Sequence, residues 1–287
     1  MSLPASRIAD AYAHCEQIAR DHYENFPVAS LLLPRGKRRH VAAIYAFARQ
    51  ADDFADEAPY EGRRLDLLAD WRRRLDAAAA GIAADPVFIA VADTLATQRL
   101  PVELMHDLLS AFEQDVRVTR YETFDELLAY CRLSANPVGR LVLNLFDRRE
   151  DHLMLQSDAI CTGLQLTNFW QDVGVDLAKG RCYIPGEDLR RFRFPEEDLA
   201  GRVATPAFVE VMRFQVIRTR DIFSRGTALP RAVGGRLGFE LKLVWLGGLR
   251  ILEKIERSGY DVFARRPSLG PPDWARLLMR AAMVVAP

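Results

Sequence analysis

The chain is poor in most features that would narrow its chemistry at a glance. Its four cysteines, Cys15, Cys131, Cys161 and Cys182, are scattered through 287 residues without a Cys-x-x-Cys pair. They read as free thiols in a reducing compartment. Neither sign of charge is in excess, with 39 basic and 39 acidic residues. No net field therefore draws the protein toward nucleic acid, and no nucleic-acid partner is expected. Long apolar runs are missing: LVWLGGL at 243–249 falls far short of the roughly 20 residues a membrane span needs. The opening MSLPASRIADAY lacks the basic-then-apolar pattern of a secretory signal. A soluble, cytoplasmic protein is expected, with a peripheral membrane contact through a short amphipathic face left open. Alternating strand patterns, tandem repeats and Ser/Gly linkers are absent too. So is a Gly-x-Gly-x-x-Gly turn behind a strand.

What the chain does have is helical periodicity and a 49% hydrophobic composition, enough for one large core. Apolar residues recur at three- and four-residue steps over 12–23, 41–57, 63–80, 86–95, 101–118, 124–133, 137–146, 150–177, 206–223 and 237–255. Pro101 and Pro206 are placed in first helical turns, with Thr205 as an N-cap. The stretch KGRCYIPGEDLRRFRFPEEDL, 179–199, is the least regular and reads as a loop lid. Gly259–Pro272 is a second irregular segment before a short amphipathic end helix. The expectation is one all-α domain spanning 1–287.

Two acidic segments interrupt this pattern. In YAFARQADDFADE, 45–57, Asp52 and Asp56 share one helix face, while Asp53 pairs with Glu57 one position round. Arg49 and Tyr45 continue the stripe backwards. Taken alone, the acids suit a solvated turn as well as a cation site. In LQLTNFWQDVGVDLAKGRCYIP, 164–185, Asn168, Asp172 and Asp176 fall at i, i+4 and i+8, with Gln165 one turn before. Lys179, Arg181 and Tyr183 follow at once. Oxygen ligands from two helices suit a hard divalent cation, and Mg²⁺ is commonly shared between a few carboxylates and substrate phosphates. Basic residues at the rim would hold the remaining phosphate charge. Such a site can draw diphosphate off an allylic or cyclopropylcarbinyl carbon.

These segments, together with YCRLSANPVG at 130–139 and LRILEKIERSGYDVFARR at 249–266, resemble the squalene/phytoene synthase family over nearly the whole chain. The resemblance implies an all-α isoprenoid synthase (class I terpenoid synthase) bundle around a central cavity. It implies that Asp52, Asp53 and Asp56 form one metal-binding set and Asn168, Asp172 and Asp176 the other. Roughly two or three Mg²⁺ ions would be carried with the substrate diphosphate. Tyr45 and Arg49 match the family's Tyr-Ala-x-x-Arg element, and Lys179, Arg181 and Tyr183 match its phosphate-facing rim. Phe26, Tyr45 and Phe169 are candidates to stabilise a carbocation, with core packing as the alternative. Gln165 extends the substrate-binding set.

Two departures bear on the reaction. HYENFPVAS, 22–30, puts Tyr23, Glu24 and Asn25 where carotenoid-type members carry Ser-Lys-Ser. SANPVG, 134–139, puts Asn136 in a glycine-like slot beside the stiffening Pro137. Both resemble the bacterial hydroxysqualene synthases of hopanoid pathways. That implies presqualene diphosphate as an apolar substrate, water capture to hydroxysqualene, an upstream presqualene diphosphate synthase and a downstream reductase that finishes squalene, so that no NADPH is needed here. Asn136 is the first candidate to position the water, with helix capping as its alternative role. Tyr183 and Asn25 are the next candidates.

Overall fold

The computed structural model describes residues 4–21 and 34–283. Asn25 and Phe26, with Tyr23 and Glu24, lie outside the described residues. The fold is all-α, as expected. In chain order the helices are α1 (Ala5–Asp21), α2 (Arg35–Asp56), α3 (Arg64–Ala79), α4 (Pro86–Gln98), α5 (Glu103–Arg117), α6 (Phe124–Ser134) and α7 (Asn136–Leu145). There follow α8 (Asp151–Ala178), α9 (Gly186–Arg191), α10 (Pro206–Ser224), α11 (Leu229–Val233), α12 (Gly235–Arg257) and α13 (Pro271–Met283). Among the described residues a lone parallel bridge, Arg120 with Cys182, is the only β-pairing. No described helix is long and apolar enough to cross a membrane.

The chain packs as two compact units. The first comprises residues up to Arg117 together with Pro137–Glu150. Its centre is α2, which packs on α1, α3, α4 and α5. Ala42, Ala43, Ala46 and Ala51 are completely buried, so neighbouring backbones come close along a stripe with little side chain. Phe47 fills the gap they leave, and its ring meets Trp71 of α3 and Phe88 of α4 at 6.0 and 6.1 Å. The Trp71 indole donates to the Phe47 carbonyl at 3.2 Å, which satisfies its N–H inside the core. A polar junction ties α1, α2 and α4 at the other end. The Tyr12 hydroxyl lies 2.9 Å from His40 Nδ1 and 3.0 Å from Thr94 Oγ1, and donates to Asp93 at 2.6 Å. Pro101 falls short of the first turn assigned to it: α5 starts at Glu103, and Val102 accepts from the Met105 and His106 amides.

The second unit comprises Val118–Asn136 and Asp151 onward. Its axis is α8, 28 residues long, or about 42 Å at 1.5 Å per residue. Phe223 of α10 wedges between two glycines: a Cβ on Gly163 of α8 or on Gly248 of α12 would stand 2.7 Å from its ring. Trp170, fully buried, donates to Thr219 Oγ1 at 2.8 Å. The stretch expected as a loop lid is tied down over its middle. Cys182, Gly186 and Glu187 amides donate to the Thr119, Tyr121 and Glu122 carbonyls at 2.9, 3.0 and 2.9 Å, and α9 forms inside it. The Gly and Pro residues that suggested irregularity are its corners, not a sign that it is loose.

Candidate active site

Both acid sets occupy helix C-termini. Asp52, Asp53 and Asp56 close α2, and Asp172 and Asp176 lie in the last two turns of α8; neither helix has a basic residue in its last turn. This inverts the usual placement, because unpaired carbonyls already make a helix C-terminus negative. Carboxylates there cost stability unless a cation is held nearby.

On α2 the resident cation is Arg49. Its guanidinium stands 2.6 Å from Asp53 and 3.5 Å from Asp52, one turn away on the same face. Burial works against its charge, but the two carboxylates outweigh it and raise the Arg49 pKa. Tyr45, Asp52, Asp53 and Asp56 are all half-buried. Phe54 fixes the helix end between them, edge-on to Tyr60 and Trp71 at 5.1 and 5.4 Å.

On α8 the arrangement starts from its termination. Gly180 takes φ +77°, which a residue with a side chain rarely adopts. The Arg181 amide then reaches back to the Asp176 carbonyl at 2.9 Å, and the Gly180 amide to that of Leu177 at 3.1 Å. This Schellman closure seats Lys179 and Arg181 around the acid end of the helix. Gln165 and Asp172 are half-buried on the same face, and Asn168 is exposed.

Arg266, to which sequence reasoning gave no role, takes Asp172. Its Nε donates to Oδ1 and its Nη2 to Oδ2 at 3.0 Å, a bidentate grip. That pairing, with Asp176 adding to it, raises the Arg266 pKa. The buried Gln171 holds the adjoining segment by donating to the Pro267 carbonyl at 2.5 Å, and Lys254 does the same at the Ser268 carbonyl. Asp261 shapes the approach by accepting from the Phe263 and Ala264 amides, both at 3.0 Å. No periodicity links positions 94 residues apart; the only signal was that ARR at 264–266 sits in a family-like segment.

Beside this helix end four rings gather. Phe169, one turn before Asp172, stacks on Tyr183 with centroids 3.8 Å apart and planes at 11°. Tyr121 and Tyr130 stand 5.8 and 6.1 Å from Tyr183. The sequence pointed to Phe169 and Tyr183 but not to the two tyrosines, which arrive from α6 and the turn before it. Asn136 is buried at the start of α7, and its Oδ1 accepts from Thr162 of α8 at 2.9 Å.

Among the described residues no three acidic, histidine or cysteine side chains converge into a metal cage. The donors present are hard oxygens in ones and twos, which fits Mg²⁺ only as a shared ion whose remaining positions phosphate oxygens and water complete.

The family model for squalene/phytoene synthase matches residues 19–273. The hydroxysqualene synthase of Zymomonas mobilis is 36% identical over 77% of this chain and 75% of its own length. The phytoene synthase of Arthrospira platensis is 31% identical over 97% and 93%. In structure the chain is similar to the squalene synthase HpnC of Alicyclobacillus acidocaldarius, with TM-score 0.85 and 41% identity over 90% of this chain and 97% of that one. The all-α architecture is that of the class I isoprenoid synthases, and the chain belongs to the squalene/phytoene synthase family, close to its bacterial hydroxysqualene and squalene synthases.

Proposed function

We propose that the protein is a hydroxysqualene synthase. It ionises presqualene diphosphate, lets the cyclopropylcarbinyl cation rearrange to the linear skeleton, and captures it with water. The carbon–oxygen bond to diphosphate breaks with its electron pair leaving on diphosphate. A water oxygen forms the new bond, and one proton is released. Carbon is neither oxidised nor reduced overall, so no nicotinamide takes part. The observation that carries the reading is the stacked Phe169–Tyr183 pair, with Tyr121 and Tyr130, one turn from Asp172. Ring faces attract a cation, and diphosphate departure creates one. Support for the hydroxysqualene branch comes from the SANPVG stretch and from two hydroxysqualene synthases at 36% and 33% identity.

In this reading Asp52, Asp53, Asp56, Asn168, Asp172 and Asp176 hold Mg²⁺ with the substrate. When bound, Mg²⁺ stabilises the charge that develops on the leaving diphosphate. Arg49, Lys179 and Arg181 contact diphosphate oxygens, while Tyr45, Gln165, Phe169 and, by resemblance, Asn25 and Phe26 line the substrate's path. With Oδ1 occupied by Thr162, Asn136 offers N–H donors. These orient a water through its oxygen but cannot take its proton, so the released diphosphate serves as base. The protein works as a soluble enzyme in the cytoplasm, between a synthase that makes presqualene diphosphate and a reductase that consumes the alcohol.

The deciding experiment incubates the protein with Mg²⁺ and presqualene diphosphate without NADPH, and separately with farnesyl diphosphate. An alcohol from the first is expected, lost in Asp172→Asn with the fold retained. Inert presqualene diphosphate with farnesyl diphosphate consumed would move the protein to the condensing branch, which the phytoene synthase at 31% over 97% of the chain represents.

A further inference from the structure

Helix α13 divides sharply between its two faces. Inward, Asp273, Leu277 and Ala281 repeat at four-residue steps and are buried. The only acid of the helix, Asp273, is spent there, 2.7 Å from Arg250 and 2.6 Å from Lys254. Outward, Pro271, Pro272, Ala275, Leu278, Met279 and Ala282 are all exposed, Leu278 at 49% and Met279 at 60%. Arg276, also exposed, is the one charge on that side. Among the described residues the other large exposed apolar side chains, such as Ile82, Leu155, Val203 and Ile217, have no such neighbour in sequence, and only Leu278 and Met279 are consecutive.

We infer that the outward face of α13 is a docking surface for an anionic phospholipid bilayer. The face carries a cation and no carboxylate, in a chain whose acids and bases are equal in number. That complements an anionic surface and follows the pattern of helices that lie in the headgroup plane. Trp274, half-buried one turn before Leu278, has the apolar body and polar N–H of residues that settle at that boundary. A second copy of the chain is a poorer occupant. A 13-residue helix offers a strip of about 20 by 10 Å, near 200 Å², against the roughly 800 Å² per partner of a stable protein interface. The choice of a bilayer also rests on the proposed substrate, whose long hydrocarbon chains keep it in membranes; the surface itself does not depend on that reading.

The test is co-sedimentation of the full chain with vesicles of phosphatidylcholine alone and with about 30% phosphatidylglycerol, in the absence of substrate. The wild type should pellet with the anionic vesicles, and Leu278→Glu/Met279→Glu should lower the bound fraction about tenfold with an unchanged thermal transition. Arg276→Gln should remove part of the binding and most of its salt sensitivity. A wild type left in the supernatant, or a double variant that still pellets, would overturn the inference. So would a dimer, seen by sedimentation velocity, that the double variant abolishes without any vesicle binding. Turnover of detergent-dispersed presqualene diphosphate, measured on the same variants, tests the proposed reaction separately and should be unaffected.

Discussion

Acidification from pH 7 to 5 should cost about 2 kcal/mol of folding stability through His40 alone. The residue is 1% exposed and its pKa is lowered from 6.5 to about 4, first by burial and then by the neighbouring Arg39 charge, with Asp93 opposing. The hydrogen bonds say why. Arg39 Nε donates to His40 Nε2 at 3.4 Å, so Nδ1 carries the ring proton and meets Tyr12 and Thr94 at 2.9 Å each. A second proton would have to sit on Nε2, facing a guanidinium. Because the folded pKa lies below the unfolded one, the unfolded chain takes up its proton first. The stabilisation is complete above pH 6.5 and is lost as pH falls toward 4. A shift of about 2.5 units is worth roughly 3 kcal/mol in full, of which about 2 is gone by pH 5. Urea unfolding at successive pH values reads this directly. In His40→Gln the loss between pH 7 and 5 should shrink by that amount, and in Arg39→Gln, where the folded pKa moves back toward 6.5, the loss should be smaller and level off at a higher pH. Equal pH slopes in the wild type and His40→Gln would refute the argument.

Three further outcomes follow from the site and its scaffold. Removing the guanidinium in Arg266→Gln should tighten binding of Mn²⁺, used as a paramagnetic stand-in without diphosphate, by about two- to fivefold. That is the worth of a partly exposed ion pair, and unchanged or weaker binding would count against competition at Asp172. Phe169→Leu should keep the fold but slow single-turnover ionisation of presqualene diphosphate by about tenfold, the scale of one lost ring–cation contact. Gly163→Ala should cost about 1–3 kcal/mol in denaturant unfolding, since its Cβ would meet the Phe223 ring at 2.7 Å; a neutral result would mean that α8 and α10 are less tightly seated than the geometry requires.

The helices were legible because their periodicity is local. The break at SANP is an example: α6 ends at Ser134 and α7 starts at Asn136. The acid stripes were legible for the same reason, since i, i+4 spacing is a property of the segment alone. The partners of those acids divide along the same line. Arg49 lies within one turn of Asp52 and Asp53 and could be read from spacing, whereas Arg266 reaches Asp172 from a distant loop that Gln171 and Lys254 pin in place. The ring cluster was half visible: Phe169 and Tyr183 adjoin the acid motif, but Tyr121 and Tyr130 depend on how the 118–134 segment packs. The 179–199 segment misled because Gly and Pro mark corners as readily as free loops, and its hydrogen bonds to 119–122 are invisible along the chain.

The hold of Arg266 on Asp172 has a consequence for the order of arrival at this helix end. A carboxylate that already carries a guanidinium presents little net charge to a lone dication, so metal alone gains little by entering. On the proposed reading, a metal arriving with diphosphate would meet a different balance, because the guanidinium it displaced would find a new anion within the same ligand. Each species would then strengthen the other's binding by the same factor. On the proposed reading the protein would have no need to store magnesium between turnovers, and the Arg266 pairing would keep Asp172 neutralised while it waits.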